Sequence, residues 1–469
     1  MIRGILGYGV HVPYYRLQRA AIGKTLGSGG GKGTRAVASY DEDATSMSVE
    51  AARTALRSFD APTPAAVYFS SVTPPYLDKT NANAIHAALN YPSEVFAGDM
   101  VGSARSTTAA LTAALNDRRP VLVTSSDVRT GRPGSGDEAA LGDAAAAVMI
   151  GSDDDAPVIA EWIGTSSATH EFLDRWREPG WNYSRVWEER FGESVYKKLV
   201  AEAATTAFKE TELSAADIDT VVISGLHARA VRSAAAAAGV GAVPSAQDLT
   251  ATIGNTGSAH GLVSLAQALD TAEPNETLML INLADGCDVS IFRTTDAVSG
   301  YTPARSVAQQ VEHGNDSLEY AKFLTWRGFL DREPPRRPDP ESPAGPPSER
   351  NTGWKFALIG SRDRSTGNVY LPPQRVALEG GAVDDYELVP MADIEGTVAT
   401  FTVDHLAFSP SPPTLAVVVD FDGGGRFMTE LTDADADEVH IGLRVRMTFR
   451  KVLTANGVHN YFWKAIPVR

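Results

Sequence analysis

Over the first 300 residues, short apolar runs alternate with alanine-rich stretches. Residues 67–72 (VYFSSV) and 120–125 (PVLVTS) read as buried strands. Residues 104–115 between them read as a helix, because alanine, leucine and threonine recur there without a breaker until Asn116-Asp117. Residues 145–150 (AAAVMI) form another apolar strand, closed by Gly151. The order then repeats as strand 220–224, helix 230–238, helix 262–269, strand 277–282 and strand 289–292. Strands separated by helices predict a parallel sheet with helices on its faces. The two halves also echo each other. Strand 121–125 leads to Gly142-Asp143 and a second strand, and strand 278–282 leads to Asp285-Gly286 and a second strand. That echo predicts a duplicated α/β unit rather than a short-period solenoid.

The texture changes after residue 310. Residues 317–330 place Leu318, Tyr320, Ala321, Phe323, Leu324 and Phe329 at spacings suited to a short amphipathic docking helix. Residues 331–349 hold too many prolines for helix or central strand and predict an extended linker. Beyond it the pattern is β. Residues 398–403 alternate, 415–421 are rich in β-branched side chains, and strands at 426–431, 443–452 and 458–466 follow. Glycines 423–425 and Asn456-Gly457 mark hairpin turns. Five short strands suit a small OB-type barrel. Its last strands carry Arg444, Arg446, Arg450, Lys451, Tyr461, Trp463 and Lys464. These could form a nucleic-acid face, or a solvated barrel face with core aromatics, and the second is expected.

Composition narrows the choices. A chain of 469 residues with 43% apolar content predicts two or three domains with real cores. No run of eighteen apolar residues occurs, so no membrane span is expected. The opening residues turn into a glycine-punctuated strand too early for a signal peptide, and a cytoplasmic location is expected. A single cysteine, Cys287, excludes a disulfide framework and a cysteine-rich zinc site. The net charge of −16 disfavours polyanion binding.

Candidate chemistry is thin by spacing alone. Residues 27–34 (GSGGGKGT) invite a phosphate-loop reading, but Gly33 stands where a hydroxyl must follow the lysine, so a flexible loop is expected. Asp127, Asp137, Asp143, Asp285 and Asp288 sit near strand ends, where carboxylates serve as caps. His86, His170, His227, His260 and His405 are scattered.

Three segments together resemble the thiolase superfamily, in its branch of hydroxymethylglutaryl-CoA synthases and ketoacyl-acyl-carrier-protein synthase III. They are residues 4–13 (GILGYGVHVP) with Arg16-Leu17, residues 40–45 (YDEDAT) with Glu50-Ala51-Ala52, and residues 253–258 (IGNTGS). A second stretch resembles zinc-ribbon plus OB-fold proteins, through Trp354-Lys355, Ser361-Arg362, Gly367 and Pro372-Pro373-Gln374-Arg375-Val376. In that family two pairs of cysteines hold zinc. Here Asp363, Thr366, Ala377 and Gly380 stand at the matching positions, so zinc is expected to be absent, with packing by Trp354, Phe356, Tyr370 and Leu371 in its place. The resemblances imply a duplicated, five-layer α-β-α-β-α thiolase-like domain over 1–310. Helix and linker follow over 311–350, then a degenerate zinc ribbon over 351–382 and an all-β OB fold over 383–469.

The family resemblance also implies a site. Relatives use a cysteine at a helix N-terminus, a histidine and the loop asparagine. The cysteine position falls on Ala104 with Ser103 beside it, the histidine position on Ser224 with His227 three residues on, and Asn255 matches directly. Ser103, His227 and Asn255 are therefore the candidate catalytic residues. Cys287, the remaining candidate nucleophile, is expected to be a buried packing residue. Two functions follow. One is an acyl-CoA C-acyltransferase of lipid or polyketide-like metabolism, acting on acyl-CoA without a cofactor. The other is a degenerate, non-catalytic acyl-CoA-binding subunit. Either implies a separate thiolase subunit as partner, and a homodimer through the thiolase-like half. An OB-type nucleic-acid binder ranks third.

Overall fold

Nine strands form the largest sheet of the computed structural model, which describes residues 2–333, 336 and 341–469. They are β1 (Arg3–His11), β2 (Ala66–Ser71), β3 (Phe96–Val101), β4 (Val121–Asp127), β5 (Ala144–Ser152), β6 (Ala160–Ala168), β7 (Thr220–Gly225), β8 (Thr277–Leu283) and β9 (Cys287–Thr294). Their order across the sheet is β7-β8-β9-β6-β1-β5-β4-β2-β3. The duplication expected from the echo is visible in this order. Strands β3-β2-β4-β5-β1 make one half and β7-β8-β9-β6 the other. The place of β3 is taken in the second half by a single parallel bridge from Val221 to Ser245. The halves join only where Gly4 and Ile5 of β1 meet Glu161 and Ala160 of β6.

The sheet is mixed, which corrects the parallel expectation. β2 runs parallel to β3 and β4, and β7 to β8, but β5, β1, β6 and β9 pair antiparallel. Only Ala284, Asp285 and Gly286 separate β8 from β9. A connection that short closes a hairpin and cannot make a parallel crossover.

Helices α2 (Ser106–Asn116) and α5 (His260–Leu269) lie between the half-sheets, where Ala110, Leu111, Leu262 and Leu265 share one core with Tyr8, Val148 and Leu280. Helices α3 (Glu189–Thr211) and α4 (Ala228–Ala237) cover the far face of β7–β9 through Tyr196, Val200, Ala204 and Ala234. Helix α1 (Ala44–Leu56) covers the other half so closely that a Cβ on Gly9 would lie 2.3 Å from the backbone nitrogen of Ala55. The result is the five-layer α-β-α-β-α stack.

By its contacts the chain forms two bodies. One comprises Met1–Ala38, Met47–Asn83 and Ser93–Tyr320, and the other Ser39–Ser46, Ala84–Pro92 and Ala321–Arg469. In the second, β10 (Ile359–Asp363), β11 (Val369–Tyr370) and β12 (Tyr386–Pro390) make a small sheet. There, β13 (Gly396–Asp404), β14 (Thr414–Phe421), β15 (Arg426–Leu431), β16 (Arg444–Ala455) and β17 (Val458–Pro467) close a barrel. The helix expected over 317–330 is shorter, Tyr320–Trp326. Part of the linker expectation falls on 334, 335 and 337–340, outside the described residues. Its end is not extended: Gly345–Arg350 is helical, with prolines in its first turn, where the missing N–H costs nothing.

Candidate active site

Ser103 and Ala104 occupy the turn between β3 and the start of α2. They line a chamber of about 110 Å³ together with Arg129, Asp174, Arg175, Arg177, Tyr196, Leu226 and Asp285. The Ser103 Oγ accepts the Arg105 N–H at 3.1 Å, and the Ser103 hydroxyl also bonds the Asp285 carboxyl. Asp285 sits in the β8–β9 turn at φ 48°, and burial, then Asp174, push its carboxyl above the usual range. Arg105 pins this turn. Its guanidinium grips Asp288 at 2.9 and 2.8 Å and reaches the Asp285 carbonyl at 3.2 Å.

The other candidate residues are committed elsewhere. His227 caps α4: its Nδ1 accepts the Ala230 N–H at 3.1 Å, so Nε2 is the protonated nitrogen and donates to the Glu189 carbonyl at 2.7 Å. Neither nitrogen is left to take a proton from Ser103. Ser224 is buried on β7 and faces Gly261 of α5, away from the chamber lining. Asn255 spends its amide on the Gly225 carbonyl (2.7 Å) and its Oδ1 on the Gly257 N–H (3.0 Å). Its backbone is stitched to Ala140 and Gly142 (2.8 and 2.9 Å). Cys287 has 0% exposure inside the α3–α4 core, and burial raises its thiol to about 12. That is the packing cysteine expected.

A second cavity of about 460 Å³ lies under β7, α4 and α5, lined by Arg19, Asp137, Arg232, Asp248, Asn255, His260 and Ser264 among others. Leu226 lines both cavities. The Arg175–Asp137 ion pair (2.5 and 2.9 Å) spans them too, since Arg175 faces the first and Asp137 the second. His260 is buried, with Nδ1 3.4 Å from the Thr256 nitrogen, and desolvation pushes its imidazole down to about 4. Sequence reasoning passed over His260, Arg129, Arg175, Tyr196 and Asp174. Arg129 follows the end of β4, Tyr196 lies within α3 and His260 opens α5, so no shared spacing marks them in the sequence.

Two carboxylates read as caps hold the site's frame. Asp127 is fully buried and accepts the Val72 and Ser258 N–H groups, both at 2.8 Å. Asp143 accepts those of Ala38 (2.7 Å) and Arg129 (2.6 Å).

In the second body, Asp363, where the resemblance puts a zinc-ribbon cysteine, caps a turn. Its Oδ1 takes the N–H and hydroxyl of both Ser365 and Thr366 at 2.7–3.1 Å. Among the described residues no group of three or more His, Cys, Asp or Glu side chains is placed to hold a metal. Of the packing residues, Trp354 stands edge-on to Phe427 and Phe462 (5.1 and 5.3 Å), and the Phe356 carbonyl takes the Trp463 indole N–H. Two of the basic residues on the last strands lie in the core rather than on a solvated face, which corrects that expectation for them. Arg450 and Lys464 are buried, Arg450 against Asp41 (3.1 Å), Glu42 (3.2 Å) and Asp433, and Lys464 against Asp41 (3.0 Å) and Glu430 (2.7 Å). Arg444 pairs with Asp422 (2.6 Å) and Glu395 (3.0 Å).

The duplicated sheet, the buried helix pair and the chamber at the α2 start define a protein of the thiolase-like fold. Solved structures agree. PksG, an HMG-CoA synthase from Bacillus subtilis, matches at TM-score 0.60 and 15% identity, over 70% of this chain and 89% of its own. The 3-oxoacyl-(acyl carrier protein) synthase III of Pseudomonas aeruginosa matches at TM-score 0.55 and 18% identity, over 63% and 98%. Sequence relatives are more specific. The hydroxymethylglutaryl-CoA synthase of Pyrococcus horikoshii is 30% identical over 323 residues, 66% of this chain and 90% of the relative. That of Methanothermobacter thermautotrophicus is 30% identical over 344 residues, 70% and 99%. The chain belongs to the hydroxymethylglutaryl-CoA synthase family, and residues 388–450 match the model "ChsH2, C-terminal OB-fold domain".

Proposed function

We propose that this protein handles acyl-CoA as a C-acyltransferase-type member of its family, in lipid or polyketide-like metabolism, without forming an acyl-enzyme of its own. The observation that carries this reading is that the chain's single thiol is sealed in a core, while Ala104, where the resemblance puts the nucleophile, carries only a methyl group. Covalent acyl transfer needs a nucleophile and a base within reach. Ser103 is within the chamber, but the nearest imidazole in the pattern, His227, has both nitrogens occupied. The 460 Å³ cavity has the volume of a small-ligand site, and Arg19 and Arg232 on its lining suit the phosphates of coenzyme A. On this reading the chain binds and positions a thioester for a separate thiolase subunit, and self-associates through its thiolase-like body.

A calorimetric titration with acetyl-CoA, followed by chromatography of the same mixture, tests this. Binding with no release of free CoA by the chain alone is expected, with release appearing once the native thiolase is added. Sustained CoA release by the chain alone would overturn it.

A second reading keeps the chain catalytic through Ser103, and one observation favours it: the hydrogen bond between the Ser103 hydroxyl and Asp285. A carboxylate is a weak base for a serine, so the non-covalent reading is preferred.

A further inference from the structure

We propose that the Arg175–Asp137 ion pair is a gate between the two cavities of the first body, which an acyl thioester seated in the larger one opens to reach Ser103. The inference rests on the acyl-CoA reading above for the ligand and adds how that ligand gains access.

The wall between the cavities is thin. Leu226 lines both, Arg175 lines the chamber of about 110 Å³, and Asp137 lines the cavity of about 460 Å³. The two charged side chains meet through hydrogen bonds of 2.5 and 2.9 Å and are 14% and 23% exposed. Ser103 and Ala104 lie on the chamber side of the pair, and Arg19 and Arg232 on the other. A thioester whose phosphates rest on Arg19 and Arg232 therefore meets the ion pair before its acyl group meets Ser103.

One side of the pair is fixed and the other is free to move. Asp137 sits on the short helix Gly136–Ala140, where the Glu138 carbonyl accepts the Arg35 guanidinium at 2.7 Å and the Ala140 carbonyl accepts the Asn255 N–H at 2.8 Å. Arg175 sits on a strand of two residues, Arg175–Trp176, paired with Arg185–Val186. That hairpin exposes Val186, and Trp187 after it, so few buried contacts hold it.

Opening strands neither charge. Arg175 is also attracted by Asp174, its neighbour on the chamber wall, and Asp137 also attracts Arg129. Breaking an ion pair is most costly when it leaves a charge without a partner. Here the long Arg175 side chain swings from one carboxylate to another. The closed and open states are two pairings of the same four charges.

The test places a thiol in the chamber with Ala104→Cys and times its reaction, in the full-length protein, with two reagents. The thiolate attacks coenzyme A disulfide, forming a mixed disulfide and releasing one coenzyme A thiol. Iodoacetamide is small and enters past Arg177 and Asp285, which are exposed on the chamber lining. Protein with Ala104 intact, its Cys287 sealed, is the blank. Adding Asp137→Ala, or separately Arg175→Gln, is expected to raise the ratio of the coenzyme A disulfide rate to the iodoacetamide rate by about ten-fold. A ratio unchanged in both variants overturns the gate alone. A thiol that reacts with iodoacetamide but in no variant with coenzyme A disulfide overturns the acyl-CoA reading as well.

Discussion

An imidazole acts as a base only through a nitrogen that is not already committed. His227 shows the point, because its residue type and its place after β7 made it a candidate, while its two hydrogen bonds make it a helix cap. Nothing in the spacing of letters separates those roles. The partner of Nε2 is the carbonyl of Glu189, 38 positions away in sequence. His227→Ala should therefore cost about 1–2 kcal/mol of stability, as cap substitutions do, while leaving thioester binding in place. Denaturant unfolding and calorimetry on the variant check both halves of that statement. The burial of Cys287 was readable, by contrast, because a lone thiol in an apolar strand is a property of the letters.

At the scale of elements, the pattern gave most of the sheet strands, the two central helices and the barrel strands nearly to their ends, with the hairpins at Asn456-Gly457 and glycines 423–425, but not β3 or β6. Strand direction was not legible. Period-2 or continuous apolar patterning says which residues are buried and nothing about which neighbour a strand chooses. Helix α3 lies outside the elements expected from the sequence, although Tyr196, Val200, Ala203 and Ala207 recur at helical spacing. The asparagine loop depends on a second element just as closely. A Cβ on Gly142 would fall 1.8 Å from the Ile253 carbonyl oxygen. Gly142→Ala should shift the Asn255 loop and lower the first body's stability by about 3 kcal/mol or more, read by thermal unfolding.

Two buried groups, one in each body, respond to pH in opposite directions. In the first body, burial holds His260 at about 4 against an ordinary 6.5. Its contribution is present above pH 6.5 and is lost as pH falls toward 4. In the second body, desolvation first, then Glu42 and Asp41 against the pull of Arg450, raise Asp433 from 3.8 to about 6. A carboxyl raised in the fold contributes fully below pH 3.8, and that contribution is lost as pH rises through about 6. Two unfolding transitions followed between pH 4 and 6 should therefore move in opposite directions, and Asp433→Asn should remove the second trend. Arg450→Met removes the guanidinium paired with Asp433, Asp41 and Glu42, and should cost the second body about 3–5 kcal/mol by denaturant titration.

On the proposed reading, the fold binds a thioester without forming an acyl-enzyme of its own. The most direct measurement of this is the intact mass of the full-length protein after incubation with acetyl-CoA, with Ser103→Ala and Cys287→Ala measured alongside. All three are predicted to keep their unmodified mass. A wild-type mass increased by one acetyl group, and absent in Ser103→Ala or in Cys287→Ala, would contradict the account.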